Sequence, residues 1–283
     1  MRLTGGVRPQ APLRRHAMRP ANLLALCFAT LLGLWLLLAL AFLHGSALIA
    51  LDTELARFMT QLWSPPGLAA FTRITALGDP AVASALFGLI SFWALLRRRP
   101  GLVLGVLVAI IAELATVSMA KHGFARPRPE FGYFMETSGS FPSGHSAFGV
   151  AFYGMLFYSL WRLGQLRGFL AFALGAMTAV FVGLSRLYLV SHYLSDVLAG
   201  WVLGGMCLIV GIAAAQWFSR DTARLFRALP RWQWAFAWLL SLGLLGTAGL
   251  YDMRYSKPLR AAATANIVLA ESTAPAERTE APR

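Results

Sequence analysis

Long uncharged runs are the feature that most limits what this chain can fold into. Seven runs of mainly apolar residues occur, each bounded by charged residues or by Pro and Gly. They cover residues 21–43, 79–96, 101–120, 145–161, 168–185, 197–218 and 232–251. A helix needs about 20 such residues to cross a bilayer, so the runs predict membrane-spanning helices, although several are short for a complete crossing.

The composition also indicates a chain that resides in lipid. Hydrophobic residues make up 58% of the 283 residues, and charged residues make up only 13%. Only helices and closed barrels satisfy every backbone hydrogen bond inside a bilayer, and the runs lack the period-two alternation of barrel strands. The sequence therefore predicts an all-α, polytopic membrane helical bundle, with a six-helix core at 21–220 and a seventh, C-terminal span at 231–251.

The segments outside these spans have other patterns. Residues 1–20 are basic and contain Pro, which predicts a flexible cytoplasmic arm, and the Ala-, Thr-, Glu- and Pro-rich residues 259–283 predict a disordered tail. Apolar residues recur at three- and four-residue steps over 48–62, and a second apolar stretch follows near 68–74. We expect two interfacial helices there, which either frame a lipid entrance or only cover helix ends.

The basic residues predict an orientation. Lys and Arg gather on the cytoplasmic side of short loops, and Arg97–Arg99, Arg162 and the arginines before residue 20 lie on one side of the predicted spans. We predict a membrane protein with its N-terminus on the cytoplasmic side. The net charge of +13 is spread over loops that flank spans, so it indicates contact with membrane lipids and not with nucleic acid.

Three polar clusters interrupt the apolar chain, and the predicted topology puts all of them on the outer side of the membrane. The first runs from Lys121 through Arg126 to Arg128 at the end of the third span. Its cations suit one anion, and an arginine binds phosphate bidentately. The alternative is that Lys121 and Arg126 only extend to the membrane interface.

The second cluster, Pro142-Ser143-Gly144-His145, directly precedes the fourth span. The N–H groups that begin a helix attract anions, and a protonated His145 beside a phosphate ester is suited to act as a general acid. The alternative is that Ser143 only caps the helix and His145 is an interfacial polar residue.

The third cluster contains Ser185, Arg186, His192 and Asp196 between the fifth and sixth spans. Four-residue spacing on a helix puts His192 and Asp196 on one face, so Asp196 can orient the imidazole and leave its other nitrogen free as a nucleophile. The alternative is a buried pair that only supports packing.

Together these residues predict phosphoryl transfer without metal or other cofactor. Lys121, Arg128 and Arg186 supply positive charge, His192 attacks phosphorus, and His145 protonates the leaving oxygen. The nearby acids, Glu136 and Asp196, are not at metal-ligand spacing, so we expect chelators not to inhibit.

The three clusters resemble the tripartite signature of the type-2 phosphatidic acid phosphatase superfamily. The matching elements are Lys121-x6-Arg128-Pro129, Pro142-Ser143-Gly144-His145 and Ser185-Arg186-x5-His192-x3-Asp196. The resemblance implies that 21–220 is a membrane phosphatase core with an extracytoplasmic site and a phosphorylated His192. From the bacterial members of the superfamily it also implies a location in the bacterial inner (cytoplasmic) membrane, with the site facing the periplasm. It also implies that Lys121, Arg128, Ser143, Gly144 and Arg186 hold the phosphate.

The expected activity is hydrolysis of a lipid phosphate or pyrophosphate, of the polyprenyl pyrophosphate, phosphatidylglycerophosphate or phosphatidic acid type. One alternative is a lipid A phosphatase or phosphotransferase, and another is a non-catalytic anionic lipid binder or transporter. Glu113, an acid inside the third span, is expected to pair within the bundle.

Overall fold

The computed structural model of the chain describes residues 20–134 and 136–221. Over these residues it contains eight α-helices, one short 3₁₀ turn and no strand. The helices are α1 (Pro20–His44), α2 (Ser46–Gln61), α3 (Pro65–Thr75), α4 (Pro80–Leu96), α5 (Pro100–Phe124), α6 (Gly144–Arg162), α7 (Gly168–Tyr188) and α8 (Leu194–Asp221), with the 3₁₀ turn at Ala76–Gly78. The all-α prediction is confirmed.

Six of the seven apolar runs lie on α1, α4, α5, α6, α7 and α8. Four described helices, α1, α5, α7 and α8, are long and apolar enough to cross a membrane, and α3 with α4 forms a fifth span if that pair, bent by 52°, counts as one. The exact span count therefore stays a prediction. The seventh run, the 259–283 tail and the basic arm up to residue 19 lie outside the described residues.

Side-chain caps fix the first residues of α3, α4 and α6. Ser64 accepts a hydrogen bond from the Gly67 N–H at the start of α3, and Asp79 accepts one from the Ala81 N–H at the start of α4. In both helices a proline follows at the first position, where its missing N–H has no intrahelical role. At α6 the cap is Ser143, whose side chain accepts from the Ser146 N–H.

Two glycines let α8 pack directly against the start of α6. A Cβ on Gly204 would lie 2.2 Å from the Ala147 carbonyl oxygen, and one on Gly200 would lie 2.5 Å from the Ser143 carbonyl oxygen. Backbones can approach this closely only where no side chain intervenes. The contact puts the first turn of α8 beside the α6 cap, where the Ser143 N–H donates to the Asp196 carbonyl at 2.9 Å.

The two predicted interfacial helices correspond to α2 and α3, which cover one end of the bundle. Trp63, after α2, donates from its indole N–H to the Tyr188 carbonyl at 2.6 Å, and Phe71 of α3 stacks on the Tyr188 ring at 4.2 Å. The same end holds the end of α5, the start of α6 and the turn from α7 to α8. The three polar clusters therefore meet at one end of the bundle.

Candidate active site

A cavity of about 1050 Å³ lies where the three clusters meet. Lys121 and Arg128 from the first cluster line it, together with His145 from the second and His192 from the third. Residues of α4 and α5 continue the lining below these polar groups as a mainly apolar wall. The cavity therefore joins a cationic upper part to a hydrocarbon-lined lower part.

Gly78 and Pro80 line the cavity, whereas no described residue of α2 or α3 does. This favours the alternative in which these two helices only cover helix ends and do not frame a lipid entrance.

His192 lies in the turn before α8, so the prediction that it shares a helix with Asp196 is wrong. Val190, with a left-handed φ of 49°, redirects the chain after α7 and brings His192 into the cavity. The Arg128 guanidinium is 3.1 Å from His192 Nε2. Because a guanidinium only donates, Nε2 is the accepting nitrogen and Nδ1 carries the proton. Nδ1 lies 3.5 Å from Asp196 Oδ2, longer than a well-formed hydrogen bond.

The surroundings of His192 keep its ring neutral. The side chain is almost fully buried, and this burial, followed by the Arg186 and Arg128 guanidiniums, holds the pKa of His192 well below its ordinary value. A neutral imidazole has a lone pair on Nε2, which here is directed at the Arg128 guanidinium. The geometry suits attack by Nε2 on a phosphorus atom held beside Arg128.

Arg126 neither extends to the interface nor enters the group of cations that the sequence predicted. Its guanidinium is 95% buried and bonds two carboxylates, Asp196 Oδ1 at 2.6 Å and Asp52 Oδ2 at 2.8 Å. It also donates to the Ser195 hydroxyl at 2.7 Å, and Ser195 in turn bonds Asp52. Sequence reasoning missed Asp52, which fixes Asp196 through Arg126 and so ties α2 to the start of α8.

The predicted cations Lys121 and Arg128 converge on one side chain. Lys121 Nζ and a terminal nitrogen of Arg128 each donate to the Ser138 hydroxyl at 3.0 Å. Arg128 also donates to the backbone carbonyls of Ser138 and Ser191, both at 2.8 Å. These bonds fix the guanidinium plane beside His192.

Glu136 joins the two predicted phosphate-binding arginines. Its carboxylate bonds Arg128 at 2.7 Å and also bonds Arg186, which is itself buried and donates to Thr75 at 2.9 Å. Burial raises the pKa of Glu136, but the Arg186 and Arg128 guanidiniums outweigh that effect and lower it. In the sequence, Glu136 was weighed only against metal-ligand spacing, which it does not meet. Its position eight residues after Arg128 was the available signal for the pairing with that arginine, whereas nothing local pointed to Arg186.

The second cluster divides between structure and site. Ser143 is fully buried and its hydroxyl is engaged with Ser146, by backbone and side-chain bonds, so this side chain acts as a helix cap. Gly144 and His145 line the cavity. His145 packs against Gly78, where an added Cβ would lie 2.4 Å from the imidazole. Both histidines thus face one cavity, and the α6 N-terminus faces it with them.

A metal ion is usually held by several acidic, histidine or cysteine side chains that lie close together. Among the described residues, no group of three or more such side chains could hold a metal ion. Metal-independent chemistry stays a prediction, which chelation tests directly.

Comparison with known proteins gives one family. Residues 102–220, which hold all three clusters, match the model of the PAP2 superfamily. Phosphatidylglycerophosphatase B of Bacillus subtilis (strain 168) is 29% identical over 178 residues, which cover 61% of this chain and 87% of that protein.

Two solved structures are also similar. The crystal structure of the first transmembrane PAP2 type phosphatidylglycerolphosphate phosphatase from Bacillus subtilis superposes with a TM-score of 0.62 at 27% identity, covering 71% of this chain and 98% of that one. Aquifex aeolicus LpxE has a TM-score of 0.47 at 27% identity, covering 59% of this chain and 95% of that one.

Three observations point to the same family: the matched segment, the helical membrane fold and the convergence of the three clusters. The fold likeness extends through the helices that carry the clusters, beyond the segment that the family model covers. The chain is a membrane protein whose residues 102–220 match the PAP2 superfamily and which is similar in sequence and fold to a transmembrane PAP2 type phosphatase.

Proposed function

We propose that this chain hydrolyses a lipid phosphate through a phosphohistidine intermediate on His192. The observation that carries the proposal is the contact of His192 Nε2 with Arg128, at 3.1 Å, in the upper part of a cavity with an apolar lower wall. A nucleophile beside an anion-binding cation suits the phosphate, and the wall suits the lipid chain. Among the expected substrates, the relationship to phosphatidylglycerophosphatase B favours phosphatidylglycerophosphate as the first to be tested.

The first step transfers the phosphoryl group to the enzyme. The Nε2 lone pair forms the N–P bond as the P–O bond to the lipid breaks, and His145 gives its proton to the departing oxygen. Lys121, Arg128 and Arg186 are suited to hold the phosphate oxygens, with the Gly144 end of α6. Ser143 contributes by holding that helix end in place.

The second step releases phosphate. Water attacks phosphorus, the N–P bond breaks, and the proton that water loses returns to His145, which restores both histidines. The Asp196 carboxylate supports both steps because it faces the His192 Nδ1–H and is suited to accept a hydrogen bond from it. The Asp52–Arg126–Asp196 network supports this role because it holds the carboxylate in one position.

The route of the lipid follows from the cavity wall. Leu114 of α5 lines the cavity and is 60% exposed, so the wall reaches the apolar outer surface of the bundle. A lipid can therefore enter sideways with its chain in the bilayer. The topology predicted from the arginines supports a site on the periplasmic face of the inner membrane.

The test is phosphate release by the purified full chain in detergent micelles. Phosphatidylglycerophosphate, phosphatidic acid, a polyprenyl pyrophosphate and lipid A are compared at matched micellar mole fraction. We expect turnover of at least one glycerolipid or prenyl substrate, loss of about three orders of magnitude or more in His192→Ala, and retained binding in that variant. Full turnover by His192→Ala would contradict the mechanism. Lipid binding by the wild type without release from any substrate would favour the binder or transporter alternative.

A further inference from the structure

Glu113 is an acid in the lower, apolar part of the cavity. It lines the cavity from α5, and its side chain is 2% exposed. Its Oε2 is buried without a hydrogen-bond partner in the described part of the chain, so the predicted pairing within the bundle is not found there. Such an atom costs stability unless a ligand satisfies it, and an acid in this setting favours its neutral form, whose O–H is a donor.

The depth of Glu113 below the reaction centre can be worked out from helix contacts. Val117 Cγ1 lies 3.5 Å from where a Cβ on Gly144 would be, so Val117 is level with the start of α6 and its His145. Glu113 precedes Val117 by four residues on α5, which is a depth of roughly 6 Å at 1.5 Å per residue. Helical side chains lean toward the N-terminus, so the carboxyl lies at that depth or slightly deeper.

This depth matches a particular atom of a glycerolipid. In a diacylglycerol phosphate the nearer acyl carbonyl oxygen is five bonds from the leaving oxygen. The planar ester turns that oxygen toward the glycerol and limits the span to roughly 5 Å, which is within hydrogen-bond reach of a carboxyl at this depth. The leaving oxygen is the atom that His145 is proposed to protonate. A prenyl chain carries only hydrocarbon at the same distance, so it leaves a donor on Glu113 unsatisfied.

We infer that Glu113 is a specificity-determining residue that donates a hydrogen bond to an acyl ester carbonyl of a glycerol-based lipid phosphate. The inference rests on the proposed phosphatase function and adds a second polar contact, about one helical turn from the phosphate. It gives the enzyme a preference for ester lipids over ether and prenyl lipids of equal charge. One unmade hydrogen bond of this kind corresponds to about tenfold in kcat/KM.

The test compares three monophosphates in the same micelles: dioleoyl phosphatidic acid, its dialkyl ether analogue, which lacks both carbonyls, and a prenyl monophosphate. The purified full chain is measured as wild type, Glu113→Gln, Glu113→Leu and Ser84→Ala. Gln keeps a donor at the position, whereas Leu removes it. Ser84→Ala is the control, because Ser84 contributes a polar group to the same cavity from α4.

We expect the wild type, Glu113→Gln and Ser84→Ala to prefer the ester over the ether by about tenfold, and Glu113→Leu to lose that preference while hydrolysing the prenyl substrate relatively better. A structural role would lower all three rates together and leave the ratios unchanged, which would overturn the inference. Equal rates with the ester and the ether in the wild type would also overturn the inference. This comparison needs no variant, so the inference can be tested even if Glu113→Leu does not fold. Absence of hydrolysis of every lipid by the wild type would instead refute the proposed function.

Discussion

Replacing Glu136 with Gln is predicted to tighten the binding of phosphate-like anions. In the resting site the carboxylate bonds both Arg128 and Arg186, so an incoming phosphate must displace it. A hydrogen bond to a charged group contributes about 1.5–3 kcal/mol. Because Glu136 is 29% exposed, solvent screens these pairs, and we take a net displacement cost of about 1.4 kcal/mol, which is tenfold in affinity.

The assay is competitive inhibition of lipid hydrolysis by orthovanadate, which resembles the phosphoryl group in transfer. The inhibition constant of Glu136→Gln is expected to fall about tenfold relative to wild type. Glu130→Gln is the matched control, since it removes the same charge from an exposed position on the same loop. An unchanged inhibition constant, or an equal fall in both variants, would refute the idea that the Glu136 carboxylate occupies the anion site.

Three further outcomes follow from burial, packing and charge. Because the pKa of His192 is held below its ordinary value of 6.5, the acid-side fall of kcat/KM, corrected for substrate ionisation, should have its midpoint below pH 6.5, as the imidazole gains a proton. Burial and the nearby cations also lower the pKa of His145, so loss of its proton gives a second fall toward higher pH, and an acid-side midpoint above pH 7 would contradict this. Gly204→Ala should lower the thermal unfolding midpoint in detergent by several degrees, because its Cβ would meet the Ala147 carbonyl, whereas Gly33→Ala, with nothing within 4 Å, should not. Activity should be unchanged after dialysis against EDTA, and a loss that added divalent metal restores would contradict metal-independent chemistry.

The helices could be predicted because membrane helices depend on little beyond local composition. The runs at 101–120 and 168–185 became α5 and α7 nearly at the predicted boundaries, and the apolar period over 48–62 became α2. The start of α6 was equally local, since Ser143 and Gly144 mark a cap. His192 was harder, because the turn at Val190 depends on a left-handed residue of a type that rarely adopts that conformation.

The polar networks could not be predicted, because their partners are far apart in sequence. Arg126 and Asp52 are separated by 74 residues and meet only when α2 folds over the bundle. A basic residue near a helix end usually extends to the interface, so the sequence favoured that position for Arg126. Glu136 presents the same difficulty, since its two arginines come from different clusters. The chemistry-bearing residue types were evident from the sequence, whereas their pairing required the fold.

The most direct test of the phosphohistidine mechanism is to look for phosphate covalently attached to His192. The purified chain is mixed with lipid phosphate, quenched within milliseconds in alkali, and digested for mass spectrometry. Alkali is used because N–P bonds hydrolyse in acid. Phosphohistidine is expected on the peptide that contains His192, and it should be absent from His192→Ala. Phosphate on another residue, or turnover with no phosphorylated peptide at any quench time in the wild type, would contradict the mechanism.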